Sequence, residues 1–314
     1  MAAMSKTAWL FPGQGSQFVG MGKDLFEASP KAREVFQRAD DALSEKLSTM
    51  IFEGPEAELT LTANAQPAIV TVSMALLAAL RERVPSLPAP DFAAGHSLGE
   101  YSALVAASAL TLEDAVRLVR ARGRAMQEAV PAGTGAMAAI MGVSEADLTA
   151  ACAEVAEGEV LGLANFNAPG QIVIAGTAAA VARAAAKVET LKGKAIPLKV
   201  SAPFHCALMA PAARAVGAEL EKLAVADSAF PVVANVDAEP NTKAGRTKEL
   251  LVLQVAGAVR WEQSIQRMRK EGVERALEIG PGKVLAGLVK RIDKELKVHN
   301  VSDAASLDAV SALF

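Results

Sequence analysis

The chain is poor in the residues that build disulfide frameworks and metal centres. It holds two cysteines, Cys152 and Cys206, and three histidines in 314 residues. Two cysteines are too few for a disulfide framework, and no Cys/His cluster has metal-ligand spacing, so no metal is expected. Aromatic residues are also scarce, 4% against 52% hydrophobic. The core must therefore be built from Ala, Val, Leu and Ile, which suits helices packed on a sheet. There is no basic excess either: the formal charge is −3, which argues against general nucleic-acid binding. The N-terminal stretch MAAMSKTAWLFPGQG lacks the charged-then-apolar layout of a signal peptide. The longest mostly apolar run, AIVTVSMALLAAL at 68–80, is short for a membrane span and carries Thr and Ser. A cytoplasmic protein with no membrane or nucleic-acid partner is expected, and nothing in the sequence points beyond a monomer. No fixed-period repeat and no low-complexity segment appears.

What is present is an alternation of strands and helices. The length suits about two domains, or one large domain with an insertion. TAWLF (7–11) reads as a buried strand ending at Pro12-Gly13. A helix is expected over 31–48, and another in NAQPAIVTVSMALLAALRER with Pro67 in its first turn. PDFAAGHS runs as a strand into a sharp turn, and a helix follows from Ser97. TLEDAVRLVRARGRAMQEAV is a further helix with Thr111 as N-cap. The texture changes near residue 130. GAMAAIMGV, a helix from 144, VLGLANFN, QIVIAG, a helix over 178–191 and KAIPLKV read as β-α-β-β-α-β, the ferredoxin-like order, over 130–200. Helices over 205–223, 247–256 and 261–271 follow, with strands in FPVVANV, RALEIG and KVHNVS. The alternation predicts an α/β parallel sheet over 1–129 and 201–314, interrupted by the 130–200 insertion.

The candidate chemistry starts at GHSLG, 95–99, which has G-x-S-x-G spacing between a strand and a helix. Such an elbow lifts the serine hydroxyl out of the backbone, and free amides at the helix start can stabilise an oxyanion. Ser97 is the candidate nucleophile. Of the three histidines, His96 is adjacent to it and points elsewhere, and His299 lies in a terminal strand. His205 in SAPFHCALM, at an expected helix start, is left as the base, and a helix N-terminus favours its neutral form. What would orient His205 is open between an acid, with Asp237 the nearest candidate, and a backbone carbonyl.

Arg122 is the most informative charge. At about 100° per residue, Arg117, Arg120 and Arg124 share a solvated face of the 111–128 helix, whereas Arg122 falls beside Ala115, Leu118, Val119 and Met126. A guanidinium in an apolar stripe needs a partner. That partner is either an acid elsewhere in the fold or a substrate carboxylate, which its fork fits. FPGQGSQFVGMG is not a phosphate loop, because Phe18 stands where G-x-G-x-x-G requires glycine and no G-K-[ST] follows. An amide in that loop, such as that of Gln14, is a candidate second oxyanion donor.

Taken together, FPGQGSQ (11–17), QPA (66–68), GHSLGEYSALV (95–105), RG (122–123), GTGAMAA (133–139), NFNAPGQIVIAG (165–176), HCALM (205–209), NVDA (235–238) and EIGPGKVL (278–285) resemble the malonyl-coenzyme A:acyl carrier protein transacylases of bacterial fatty-acid synthesis. The resemblance runs through nearly the whole chain in order. It implies an α/β-hydrolase-like domain with a ferredoxin-like insertion and ping-pong transfer of malonyl from coenzyme A to the phosphopantetheine thiol of acyl carrier protein. Ser97 would carry the ester, His205 would move the proton, and the amides of Gln14 and Leu98 would hold the oxyanion. Arg122 would bind the malonyl carboxylate. Gln254 in LLVLQ matches the glutamine near which backbone carbonyls orient the histidine, and Asn167 and Gln66 match pocket positions. Phe204, just before the histidine, would fill the space of a methyl branch. No bound cofactor is implied. An acidic carrier protein would meet a local basic patch, for which Lys290 and Arg291 are candidates beside a plain solvated face. A serine thioesterase or esterase and a non-catalytic carrier-binding module are the rival readings.

Overall fold

The computed structural model describes residues 6–313; the first five residues of the N-terminal stretch considered above lie outside them. Two sheets organise the chain. The strands are β1 (Lys6–Phe11), β2 (Phe92–Gly95), β3 (Gly135–Met141), β4 (Leu161–Ala168), β5 (Gln171–Thr177), β6 (Lys194–Pro197), β7 (Val232–Val233), β8 (Pro240–Asn241), β9 (Val273–Ile279) and β10 (Lys297–Val301). The larger sheet has the order β10-β9-β1-β2-β7-β8 and is parallel except at β7–β8. β1 is central, and Ala8 to Phe11 are buried because helices cover both faces of the sheet.

The smaller sheet is antiparallel, in the order β4-β5-β3-β6, with the helices Glu145–Val155 and Ala178–Thr190 packed on it. The β-α-β-β-α-β order read from the sequence is present. Ile140, Leu148, Ile174 and Val188 form its own core. Phe166 N donates to Val259 O at 2.8 Å and Val259 N to Ala164 O at 2.9 Å, which ties β4 to the larger sheet's side of the molecule.

The helix Thr62–Arg83 is apolar nearly all round, so it is a core helix. Among the described residues it alone is long and apolar enough to cross a membrane, but 83% of its apolar window is buried inside the protein. It begins earlier than expected, which leaves Pro67 in its interior rather than its first turn. Pro67 has no N–H for the Ala63 carbonyl. Arg120 Nη1 donates to that carbonyl instead, at 2.8 Å. The same guanidinium reaches Asn64 and Glu45, so Arg120 is buried and does not share the solvated face of Arg117 and Arg124. Thr111 caps the next helix, Leu112–Glu128, by accepting from Asp114 N.

Three further expectations shift. The 31–48 helix is Pro30–Leu43, stopped by Ser44 at φ 54°, and a separate helix Leu47–Glu53 follows. FPVVANV supplies only two ladder residues, because the chain leaves the sheet at Asn235, whose N–H goes to the Glu100 carboxylate. The expected 205–223 helix is a 3₁₀ turn, Ala207–Met209, leading into Ala210–Glu221.

At the end of β2 the chain turns over β1 so closely that a methyl group on Gly99 would overlap the Phe11 carbonyl. Gly99→Ala should therefore destabilise the fold by about 2 kcal/mol or more through overpacking against rigid backbone, read as a lower denaturant midpoint. An unchanged midpoint would show that the elbow has slack.

Candidate active site

The elbow after β2 puts Ser97 at φ 51°, a left-handed conformation that costs a non-glycine residue strain. Asn235 holds it there. Its Oδ1 accepts Ser97 N at 2.7 Å, and its Nδ2 donates to Gly95 O at 2.7 Å. The helix Gly99–Ala106 follows directly, two residues later than expected.

Ser97 Oγ lies 2.7 Å from His205 Nε2. On the other side of the ring, Nδ1 faces the carbonyl oxygens of Gln254 at 3.0 Å and Gly257 at 3.1 Å. Two acceptors there put the proton on Nδ1 and leave Nε2 free to accept from the serine. Asp237 is elsewhere engaged, pairing with Arg246 at 3.0 Å and accepting Glu239 N. The choice left open by the sequence is thus resolved in favour of carbonyls. His205 precedes the short 3₁₀ turn, at φ 60°. Its neutrality comes chiefly from burial and then from the nearby Arg122 charge, which together push its pKa down to about 3.

Arg122 is 1% exposed. Its Nη1 donates to Gln66 Oε1 at 2.9 Å, and its Nη2 donates to Gln254 Oε1 at 3.0 Å and to Ser97 Oγ at 3.2 Å. The guanidinium carbon sits 5.4 Å from the centre of the Tyr101 ring. All three hydrogen-bond partners are neutral, and Nε has no protein partner. Burial drives its pKa down, but guanidinium stays charged at any working pH. Among the described residues, the cation at the nucleophile has no acid hydrogen-bonded to it.

These groups border a cavity of about 350 Å³. Gln14, Gln66, Leu98, Arg122 and Phe204 line it with Ser97 and His205. The Gln14 side chain donates to Thr62 Oγ1 at 3.0 Å. Among the described residues, the backbone amides of Gln14 and Leu98 donate to no protein acceptor. Two predicted residues stand back from the cavity. Gln254 is fully buried behind it, and Asn167 Oδ1 accepts from His96 Nε2 at 2.8 Å while Asn165 takes the lining place. Lys290 and Arg291 lie on the exposed face of the helix Val284–Ile292, away from the lining, and Arg291 donates to Gln171 Oε1 at 2.6 Å.

Sequence reasoning missed Asn235, Glu100 and Tyr101. Glu100 Oε2 accepts Asn235 N at 3.0 Å and Gln254 Nε2 at 2.8 Å. Burial raises its pKa to about 7, against the pull of those two hydrogen bonds and of Arg122. A signal existed for it: an acid opening the apolar helix GEYSALVA, three residues after the nucleophile. The arrangement can form an ester on Ser97 while holding an anionic group on the acyl chain.

The profile of the acyl transferase domain matches residues 8–310. The chain is 52% identical over 308 residues to the malonyl CoA-acyl carrier protein transacylase of Bacillus subtilis, covering 97% of this chain and 96% of that one. An acyl carrier protein S-malonyltransferase from Vibrio cholerae superposes with a TM-score of 0.95 at 45% identity, covering 98% and 100%. A malonyl-transacylase solved in complex with a type II polyketide acyl-carrier protein also scores 0.95, at 44% identity, covering 99% and 100%.

The depressed His205 pKa has a checkable consequence. A base with its folded-state pKa near 3 stays neutral as pH falls from 7 to 5, whereas an ordinary histidine of pKa about 6.5 loses most of its free base. Sulfonylation of Ser97 by a sulfonyl fluoride, followed by intact mass, should therefore hold its rate across that range and vanish in His205→Ala. A fall centred near pH 6.5 would mean the imidazole is accessible to water.

Proposed function

This chain belongs to the acyl transferase family, and on that premise we propose that it carries malonyl from malonyl-coenzyme A to the phosphopantetheine thiol of acyl carrier protein through a malonyl-serine. The observation that carries the reading is the position of Ser97 Oγ, 2.7 Å from His205 Nε2 and 3.2 Å from Arg122 Nη2. A base and a cation converge on one hydroxyl, which suits an acyl group with its own carboxylate.

In the first half-reaction the Ser97 oxygen bonds to the thioester carbonyl carbon as its proton passes to His205 Nε2. The Gln14 and Leu98 amides receive the oxyanion. The carbon–sulfur bond then breaks, and the coenzyme A thiolate takes the proton from His205. In the second half the pantetheine thiol gives its proton to His205 and attacks the ester, and the proton returns to Ser97 as the ester bond breaks. The malonyl carboxylate rests on the Arg122 fork throughout. Gln66 and Gln254 steady that fork from behind, Asn167 fixes the His96 ring at the cavity wall, and the Phe204 ring narrows the space beside the acyl α-carbon. No metal or bound cofactor takes part.

The residues 1–129 and 201–314 form the α/β-hydrolase-like catalytic domain in this reading, and 130–200 the ferredoxin-like insertion. The enzyme works as a cytoplasmic monomer. The exposed Lys290 and Arg291 offer an acidic carrier protein a basic contact. Hydrolysis is the competing outcome for a serine ester, and the carbonyl-held histidine supports it less than an Asp-held one would.

Mixing the protein with malonyl-coenzyme A should give a species heavier by one malonyl group, absent in Ser97→Ala and discharged by pantetheine thiols. Rapid release of free malonate without a thiol would sink the transferase in favour of a thioesterase. Arg122→Ala should lose malonyl loading by about 100-fold, the scale of a lost charge-assisted pair, while acetyl loading holds or rises. Equal losses for both donors would make Arg122 structural.

A further inference from the structure

Glu100 is buried at 3% exposure, does not line the cavity, and has no part in the cycle above. Its one engaged oxygen nevertheless receives two hydrogen bonds that reach the reacting groups. We propose that Glu100 is a positioning residue: it fixes which way round the Gln254 amide lies, and so aims the Arg122 guanidinium at the acyl carboxylate. This rests on the malonyl-transfer reading.

The polarity of the chain carries the inference. A carboxylate oxygen accepts, so the Gln254 atom facing it must be the donor, Nε2, at 2.8 Å. That choice leaves Oε1 on the other side, where it accepts from Arg122 Nη2 at 3.0 Å. With the amide turned over, Nε2 would face Nη2, donor against donor, and the guanidinium would have to leave its place 3.2 Å from Ser97 Oγ. The Ser97 carbonyl also accepts from Nε2, at 2.9 Å, but it is shared with the Glu100 amide at 3.1 Å. The Glu100 oxygen is shared in the same way, with Asn235 N, and directs through the shorter of the two contacts, 2.8 against 2.9 Å. The second bond to the same oxygen, from Asn235 N at 3.0 Å, keeps Asn235 beneath the elbow it clamps.

Because Oε2 takes both bonds, a glutamine at this position can set its own carbonyl oxygen there and keep them. The charge is dispensable and the acceptor is not. The test uses the full chain and compares rates of acyl-enzyme formation from malonyl- and acetyl-coenzyme A by quenched intact mass. Glu100→Ala should lower the malonyl-to-acetyl ratio by about tenfold or more, the scale of losing an interaction to a charged group. Glu100→Gln should keep the ratio within about threefold of wild type, since neutral acceptors replace charged ones at modest cost. In Gln254→Ala, which retains the carbonyl that holds His205, adding Glu100→Ala should change the ratio by less than about twofold, because both act through one amide. Glu100→Met, which fills the volume, takes the place of Glu100→Ala if that variant does not fold. Equal losses for both donors, additive effects in the double variant, or collapse of the ratio in Glu100→Gln would each overturn the assignment. Absence of any malonyl adduct on the wild-type chain would instead overturn the transferase reading.

Discussion

The site depends on a permanent positive charge buried with no acid among the described residues hydrogen-bonded to it. Desolvating an ion costs several kcal/mol even after the protein relaxes, and Arg122 meets that cost with dipoles: two glutamine oxygens, a serine oxygen and a tyrosine ring face. Such a set leaves the cation's field largely intact at the cavity. An aspartate in contact with Arg122 would stabilise the protein more and would cancel the field that an anionic acyl group needs. The design accepts a less stable core in exchange for a pre-aimed cation.

The same charge reaches the base. Arg122 is among the causes that hold His205 neutral, so transferring the serine proton to the imidazole places a second cation in the same small volume. A carboxylate seated on the guanidinium relieves that repulsion. On the malonyl reading, the substrate's own anion thus eases the proton transfer that its acylation requires. An acetyl group, having no anion, leaves the two cations opposed. Selectivity and catalysis then draw on one electrostatic fact rather than on separate devices.

The sequence carried a large part of this, and the reasons for the gaps are physical. Local rules of spacing located the elbow, the Thr111 cap and the inward face of Arg122, because each depends on residues a few positions apart. The β-α-β-β-α-β stretch was legible because periodicity switches visibly from strand to helix. Arg120 was misplaced since nothing local reveals that Pro67, over fifty residues earlier, leaves the Ala63 carbonyl in need of a donor. Glu100 and Asn235 were missed for a similar reason. Their roles exist only through hydrogen bonds across 135 positions of chain, and a charged residue in a helix's first turn reads by default as solvated. The orientation of His205 stayed open because backbone carbonyls have no sequence signature.

Those carbonyls also occupy the place at Nδ1 that an acid takes in a triad. An acid at Nδ1 would orient the imidazole and stabilise its charged form, which suits a hydrolase acting on neutral esters. Here it would add a negative charge close to Arg122 and to the place of an anionic acyl group. The carbonyls of Gln254 and Gly257 supply the orientation with dipoles alone. The carboxylate of Glu100 is kept behind the Gln254 amide rather than hydrogen-bonded to the guanidinium or the imidazole. Among the described residues no acid hydrogen-bonds the cavity's cation, and on the malonyl reading the substrate brings the negative charge.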